Sequence, residues 1–272
     1  MEGNLKPTYP WRESAILLAA AVIGYAIKLP FGLLATQTFG APGARAGFSL
    51  WGYELMVLQL AAVIAGLLVF HRTGLPNAPW LERRLYGEES HKPRTIWRPA
   101  LAGVFICLLV TIVVSLAATR LGVTSKLGSQ LHSPSLPRSV LIELAALYPL
   151  AAIGAAFSEE SVYRLGLISV LVWVVLKLTP QTNPRGLFNF WLPIIVSGLL
   201  FGYVHVAENL ETAQLAGPIV STLIAPQTWA GVVFGYLFCV YGLESAVICH
   251  VTADLTAPLV LAGLNQMLKL VH

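Results

Sequence analysis

The chain has 272 residues, of which 56% are hydrophobic and only 11% are charged. Water-soluble domains carry about 25% charged residues, so this composition excludes an ordinary soluble enzyme and predicts an integral membrane protein. The net charge is only +4 and most of the excess lies in one connecting segment, so no nucleic-acid partner is expected.

The hydrophobic residues form runs of about 20, the length that a helix needs to cross a hydrocarbon core of about 30 Å. Runs such as 101–119 show no alternation of polar and apolar residues, so helices are predicted rather than membrane strands. The fold class is therefore an all-α polytopic transmembrane helix bundle with about eight spans, and seven as the fallback. The predicted spans lie near 14–36, 49–70, 99–119, 139–157, 159–178, 191–207, 228–243 and 245–268.

Three parts of this division into spans allow more than one interpretation. The first apolar run continues well past the alanines at 19–21, so it is predicted to remain as an anchor rather than to be a cleaved signal. The spans 139–157 and 159–178 could instead be one bent segment. The region 208–227, with Pro218 and Pro226, could hold a half-helix or a re-entrant turn.

Basic residues in the connecting segments predict the orientation of the chain. The segment 71–98, called the basic loop from here on, is predicted to be cytoplasmic because it is the richest in Lys and Arg. With eight spans, both termini, Glu159 and His205 would also lie on the cytoplasmic side, to which the site would open. The basic residues of the loop are Arg72, Arg83, Arg84, Lys92, Arg94 and Arg98.

Two other features of the chain carry little functional signal. Residues 80–89, WLERRLYGEE, could form a short interfacial helix near anionic headgroups or remain a solvated loop. Cys107, Cys239 and Cys249 lie in apolar spans without a CxxC spacing, so neither a disulfide nor a thiolate metal site is predicted.

Charged side chains gather at residues 157–166, FSEESVYRLG. If a helix begins at Ser158, its hydroxyl would cap the helix and Glu159 and Glu160 would lie in the first turn, where negative charge is favoured without any chemistry. Arg164 follows Glu160 by four residues, so these two can pair on one face. Glu159 lies about 100° round the helix and would stay unpaired, which suits a general base beside an apolar wall.

Two further polar patterns interrupt the later spans. Phe201 and His205 lie one helical turn apart in FGYVH, and His250 and Asp254 lie one turn apart in HVTAD. A lone histidine in an apolar helix is more often a structural residue than a catalyst. Asp254 is the only aspartate in the chain, and a charge at the centre of a span costs about 3 kcal/mol on insertion scales, so the second pair is harder to explain structurally.

In chain order the patterns are EExxxR at 159–164, FxxxH at 201–205 and Hxxx[N/D] at 250–254. This set resembles the motifs of the CPBP or Abi family of intramembrane proteases, which includes the type II CAAX prenyl proteases. The resemblance covers residues 159–254, and the first three spans carry no signature. It implies that the three helices bring the polar side chains together in a peptidase site inside the membrane.

The resemblance also implies a role for each matching residue. Glu159 would activate the attacking water, with His205 helping to hold it. His250 and Asp254 would face the carbonyl oxygen that becomes an oxyanion. The supporting residues would be Glu160 and Arg164 as a structural pair, and Phe201.

The function that follows is an endopeptidase acting near the C-terminus of a membrane-associated peptide or protein. A lipidated, CAAX-like substrate would fit, membrane lipids would surround the protein, and no cofactor is required. We expect one integrated membrane domain, in which residues 1–138 supply the first spans and the basic loop and residues 139–272 form the catalytic bundle.

Two features of the sequence fit this interpretation imperfectly. Asn is the commoner residue in the family at the position of Asp254, and an ionised carboxylate cannot donate to an oxyanion. The alternation of eight spans would also place His250 near the extracytoplasmic end, away from Glu159 and His205.

The same residues are also compatible with three alternative functions. One is a zinc-dependent protease with Glu159, His205, His250 and Asp254 as ligands, although no HExxH pattern occurs. The second is a non-catalytic immunity, sorting or scaffold protein of the same fold. The third is a transporter, because buried acids and histidines also line ion pathways, although no inverted repeat supports it.

Overall fold

The computed structural model describes residues 10–39, 50–87, 96–120, 137–179, 187–208, 221–223 and 225–271. Helices dominate these ranges and no strand occurs within them, which confirms the all-α class. Five of the described helices are long and apolar enough to cross a membrane. The protein is therefore a polytopic helical membrane protein.

The helices begin and end within a few residues of the predicted spans, except at 139–178. A short 3-10 turn at Phe70–Arg72 follows the second helix. In chain order the helices are α1 (Trp11–Phe39), α2 (Leu50–Val69), α3 (Pro79–Tyr86), α4 (Trp97–Arg120), α5 (Arg138–Leu178), α6 (Leu187–Glu208), α7 (Pro226–Tyr241) and α8 (Leu243–Val271).

The predicted spans 139–157 and 159–178 form one continuous helix, α5, so the eight-span division is wrong at this point. The helix start predicted at Ser158 is wrong for the same reason. Its hydroxyl donates to the carbonyl oxygen of Ala155 (3.2 Å), and the Ser161 hydroxyl donates to that of Phe157 (2.7 Å). Both hydroxyls are satisfied inside the helix, so neither is needed as a cap.

The middle of α5 is wound as a π-helix from Ser161 to Ile168. Such segments are rare and often occur at functional sites. α2 packs directly against this segment, and a side-chain carbon at Gly66 would overlap the carbonyl oxygen of Leu165. Gly166 faces α2 in turn, since a carbon there would come within 2.9 Å of the carbonyl oxygen of Ala62. Small residues therefore allow the two backbones to touch.

The start of α8 lies beside the basic loop. The Leu243 N–H donates to the carbonyl oxygen of Asn77 at 2.6 Å. The Glu244 carboxylate accepts from the N–H groups of Trp80 (3.1 Å) and Leu81 (3.0 Å) at the start of α3. These contacts define one end of the bundle, called the basic-loop end.

α6 and α7 are antiparallel neighbours. Gly198 lies against Val232, and Gly202, one turn later in α6, lies against Thr228. Since α7 runs toward the basic-loop end, α6 finishes at the opposite end, just after His205. The prediction that His205 lies on the side of the basic loop is therefore wrong, because α5 passes along the bundle once and not twice.

α1 runs antiparallel to α5. Gly24 lies beside Ser158, whereas Phe31, two turns later in α1, packs against Tyr148, earlier in α5. Glycine at 24 is needed because a side-chain carbon there would come within 2.8 Å of the Ser158 nitrogen. Close approach of α1 to the middle of α5 follows from this contact.

α8 is also antiparallel to α5, because its His250 contacts Glu160 and its later Asp254 contacts Tyr148. α1 and α8 therefore run in the same direction. Both helices therefore begin at the basic-loop end, which agrees with the prediction that the N-terminus lies on the side of the basic loop. If α8 crosses the membrane once, it finishes on the opposite side, which does not fit the prediction that the C-terminus lies there too.

Residues Pro79–Tyr86 form the helix α3, so the loop alternative is wrong for residues 80–86, and the interfacial position of this helix stays a prediction. The Arg84 guanidinium lies 5.8 Å from the centre of the Trp80 ring, over the exposed face of the helix. Other predictions concern segments outside the described residues: Lys92 and Arg94 of the basic loop, and 209–220 of the region in which a half-helix or re-entrant turn was considered.

Candidate active site

The three polar patterns of the sequence meet where α5, α6 and α8 pack together. The Glu159 Oε2 atom lies 4.0 Å from His205 Nε2 and 3.9 Å from His250 Nε2. The Glu159 side chain is 19% exposed, so it is partly accessible and not sealed in the core. Residues separated by up to 91 positions in sequence thus converge on one carboxylate oxygen.

Glu160 lies deeper in the bundle than Glu159, and both it and Arg164 are fully buried. Its Oε2 atom is 2.9 Å from Arg164 Nε, as the four-residue spacing predicted. Its other oxygen, Oε1, is 2.8 Å from His250 Nδ1. Glu160 therefore holds a histidine as well as an arginine, and the contact with His250 was not predicted from the sequence.

Aromatic rings surround the Arg164 guanidinium. Its central carbon lies 5.1 Å from the centre of the Phe201 ring and 5.5 Å from that of Phe234. One terminal nitrogen donates to the Ser197 hydroxyl at 3.4 Å. The contact between Arg164 and Glu160 has ion-pair length but poor hydrogen-bond angles, so attraction between the charges dominates it.

The orientation of the His205 ring follows from one hydrogen bond. Its Nδ1 atom lies 2.8 Å from the carbonyl oxygen of Phe201. A carbonyl oxygen can only accept, so Nδ1 must carry the hydrogen. In the neutral ring Nε2 is then an acceptor, and it is this atom that faces Glu159. The Phe201 ring supports the imidazole with a centre-to-centre distance of 4.5 Å.

His250 is held from three directions. Its Nδ1 atom binds Glu160, its ring stacks on Phe234 with centres 4.6 Å apart, and its Nε2 atom lies 3.4 Å from Asp254 Oδ2. The Tyr148 hydroxyl donates to the backbone carbonyl of Asp254 at 2.7 Å, which ties α8 to the first half of α5. The ring of His250 is buried, whereas the Asp254 side chain is 36% exposed.

Phe201 lies among the aromatic and histidine rings around Arg164, and its supporting role stays a prediction. Its ring contacts Tyr163 and His250 edge-on, with centres 5.1 Å and 5.9 Å apart. The following residue, Gly202, was not singled out in the sequence. A side-chain carbon at this glycine would overlap the Thr228 hydroxyl, so the FG pair lets α6 lie close to α7.

Glu159 also has a cationic partner, so the prediction that it is unpaired is wrong. Lys28 Nζ in α1 lies 3.5 Å from Glu159 Oε1, and it lies 4.9 Å from the centre of the Tyr25 ring. The sequence contained a signal for this residue, because a lysine in an apolar span is costly and usually has a partner.

The candidate zinc ligands Glu159, His205, His250 and Asp254 are near one another. Within the part of the chain that the structure describes, however, no group of three or more His, Cys, Asp or Glu side chains has an arrangement that could hold a metal ion. The zinc alternative therefore depends on a chemical test.

Comparison with known proteins supports a relationship for the second half of the chain. Residues 141–256 match the family model described as Rce1-like, type II CAAX prenyl endopeptidase. The matched range contains Glu159, His205, His250 and Asp254, and it leaves out Lys28. No match to the chain was found among curated proteins or among solved structures.

Proposed function

Because residues 141–256 match the family model of Rce1-like type II CAAX prenyl endopeptidases, we propose that the protein is an intramembrane endopeptidase that uses Glu159 as its general base. The observation that carries this proposal is the position of Glu159 Oε2, 3.9 to 4.0 Å from the Nε2 atoms of His205 and His250. These distances are too long for direct hydrogen bonds, and they fit a water molecule bound between the groups.

The hydrogen-bond roles of the two nearest groups suit a nucleophilic water. The Glu159 carboxylate and the neutral His205 Nε2 are both acceptors, so together they can bind both hydrogens of one water. The water then directs a lone pair toward the substrate carbonyl carbon. As the carbon–oxygen bond forms, Glu159 takes a proton. It later passes this proton to the leaving nitrogen when the carbon–nitrogen bond breaks.

His250 is the candidate donor to the oxyanion. Its Nδ1–H is directed at Glu160, so only Nε2 can face the reacting carbonyl, and it donates when the ring carries a second proton. Glu160 and Asp254 flank the ring and favour the positive imidazolium, since each carboxylate attracts it. A fixed donor aimed at developing negative charge is among the strongest sources of catalysis.

Peptide hydrolysis inside a membrane requires a wet pocket whose walls expose no backbone to lipid. Polar side chains carried on intact helices meet this requirement. We propose a membrane-associated substrate, cleaved near its C-terminus, with lipidated CAAX-like sequences as the first candidates. We place the site deep in the membrane, because His250 lies seven residues after α8 begins at the basic-loop end, whereas His205 lies three residues before α6 finishes at the opposite end.

The direct test is cleavage of candidate peptides by the purified full-length protein in vesicles, followed by mass spectrometry. Peptides ending in CAAX-like sequences should be compared with and without a prenyl group on the cysteine. We expect a single cut near the C-terminus of at least one of them. If folded protein cleaves none of these peptides or membrane-anchored variants of them, the non-catalytic alternative replaces the proposal.

One set of measurements tests the roles of the two histidines and distinguishes the proposed mechanism from the zinc alternative. His205→Ala and His250→Ala should each lower kcat by about 10²-fold or more, because each removes a partner of the water or the oxyanion. Prolonged treatment of the wild-type protein with a strong chelator should leave kcat unchanged. Loss of activity that stoichiometric zinc restores would instead support the metalloprotease alternative.

A further prediction concerns Asp254. We expect Asp254→Ala to lower kcat by about 10²-fold, as loss of an oxyanion-site group does elsewhere. Asp254→Asn should retain most of the activity, because the amide can accept from His250 Nε2–H and can also donate to an oxyanion. Initial rates of the three proteins on one peptide provide the measurement. An Asn variant as inactive as the Ala variant, in folded protein, would show that the site requires negative charge at this position.

A further inference from the structure

Lys28 is the polar residue of the site that lies outside the range matched to the protease family. It belongs to α1, in the candidate span Trp11–Leu34, where a charged side chain is costly unless it has a partner. Its backbone is pressed against α5: a side-chain carbon at Gly154 would come within 2.8 Å of the Lys28 nitrogen. The packing of α1 on α5 thus places the Lys28 ammonium group beside Glu159.

The two carboxylate oxygens of Glu159 face different partners. Oε1 lies 3.5 Å from Lys28 Nζ, whereas Oε2 is the atom that faces His205 and His250. The last torsion of a glutamate side chain has no sharp preference, so the chain itself does not decide how the carboxylate plane is turned. A partner on Oε1 can decide it.

Lys28 is itself held by the neighbouring helices. Its ammonium lies 4.9 Å from the centre of the Tyr25 ring, one turn earlier in α1. The Tyr25 hydroxyl donates to Gln59 Oε1 in α2 at 2.5 Å. A line of contacts therefore runs from α2 through α1 to the carboxylate on α5, and it ends on Glu159.

We propose that Lys28 is a positioning residue, which binds Glu159 Oε1 and thereby turns Oε2 toward the histidines. This inference rests on the proposed function of Glu159 as the general base. It extends the active site to the N-terminal half of the chain. It also explains why a lysine occurs in an otherwise apolar span.

Kinetics of four variants test the proposal. Lys28→Met and Lys28→Gln remove the charge, Lys28→Arg keeps it, and Lys177→Met removes the charge of an exposed lysine far along α5 as a control. We expect both neutral variants to lower kcat by about 10²-fold with little change in KM, because small errors of orientation have effects of this size. Lys28→Arg should recover most of the loss, and the control should behave as wild type.

A measurement that needs no activity separates failure of this inference from failure of the proposed function. Thermal unfolding of Lys28→Met, Glu159→Gln and the double variant should give shifts in Tm that are not additive, because the two side chains interact. Additive shifts would overturn the pairing even if no substrate is found. Two kinetic results would overturn the positioning role of Lys28. One is an unchanged kcat in both neutral variants. The other is a raised KM at unchanged kcat, which would mean that Lys28 contacts the substrate.

Discussion

Glu159→Gln is expected to abolish peptide cleavage, with kcat lowered by at least about 10³-fold. The substitution keeps the shape of the side chain but removes the atom that takes the proton, and general-base catalysis contributes about 10²- to 10⁴-fold. The histidines would remain in place, because Glu160 and the carbonyl oxygen of Phe201 orient them independently. Loss of the partly exposed pair with Lys28 should lower the free energy of unfolding by about 1 kcal/mol or less.

The measurement is single-turnover cleavage of one peptide by wild type and variant, together with thermal unfolding of both. Glu143→Gln is the matched control, since Glu143 is an exposed glutamate on the same helix. It should cleave at the wild-type rate. Wild-type turnover by Glu159→Gln would show that another group activates the water.

Arg164→Ala and Glu160→Gln should impair stability as well as activity. Both side chains are fully buried, so removing one charge leaves the other without compensation in the apolar interior. Breaking a buried pair in this way lowers the free energy of unfolding by about 3–5 kcal/mol. Cleavage should also fall, because Glu160 holds the Nδ1 atom of His250.

Denaturant unfolding in detergent, with Arg138→Ala as the exposed control, measures the stability of these variants. The double variant Glu160→Leu, Arg164→Met separates the two roles of the pair. Apolar replacement of a whole buried pair is often neutral, so much of the lost stability should return. Activity should not return, because the His250 ring has lost its acceptor. A double variant that is stable and fully active would contradict a role for Glu160 at His250.

The boundaries of the helices were predictable except within α5. Apolar runs with prolines and glycines around them mark most ends, because the length of a span is set by the membrane. At 157–161 the polar residues resemble a helix start, and the local pattern cannot distinguish a cap from a serine that bonds back to its own helix. The structure decides this, since the hydroxyls of Ser158 and Ser161 both donate to preceding carbonyls.

The candidate active site also combines features that the sequence predicts with contacts that only the structure shows. EExxxR, FxxxH and Hxxx[N/D] identify residues that the structure then brings together, with Glu159 within 4.0 Å of both histidines and Asp254 3.4 Å from His250. The pairing of Glu160 with Arg164 follows from spacing within one helix. The contacts of Glu160 with His250 and of Lys28 with Glu159 join different helices, and no spacing along the chain encodes them.

The sequence by itself determined that the protein is a helical membrane protein, and it determined which polar residues stand out in it. Both follow from local energetics, since a span must be apolar and each charge within it is costly. Only the tertiary structure decided the direction of α6 and α8 relative to the basic loop, and which oxygen of Glu159 faces the histidines. Those features depend on how helices pack through small residues such as Gly24, Gly154 and Gly202, and packing depends on the whole set of neighbouring surfaces.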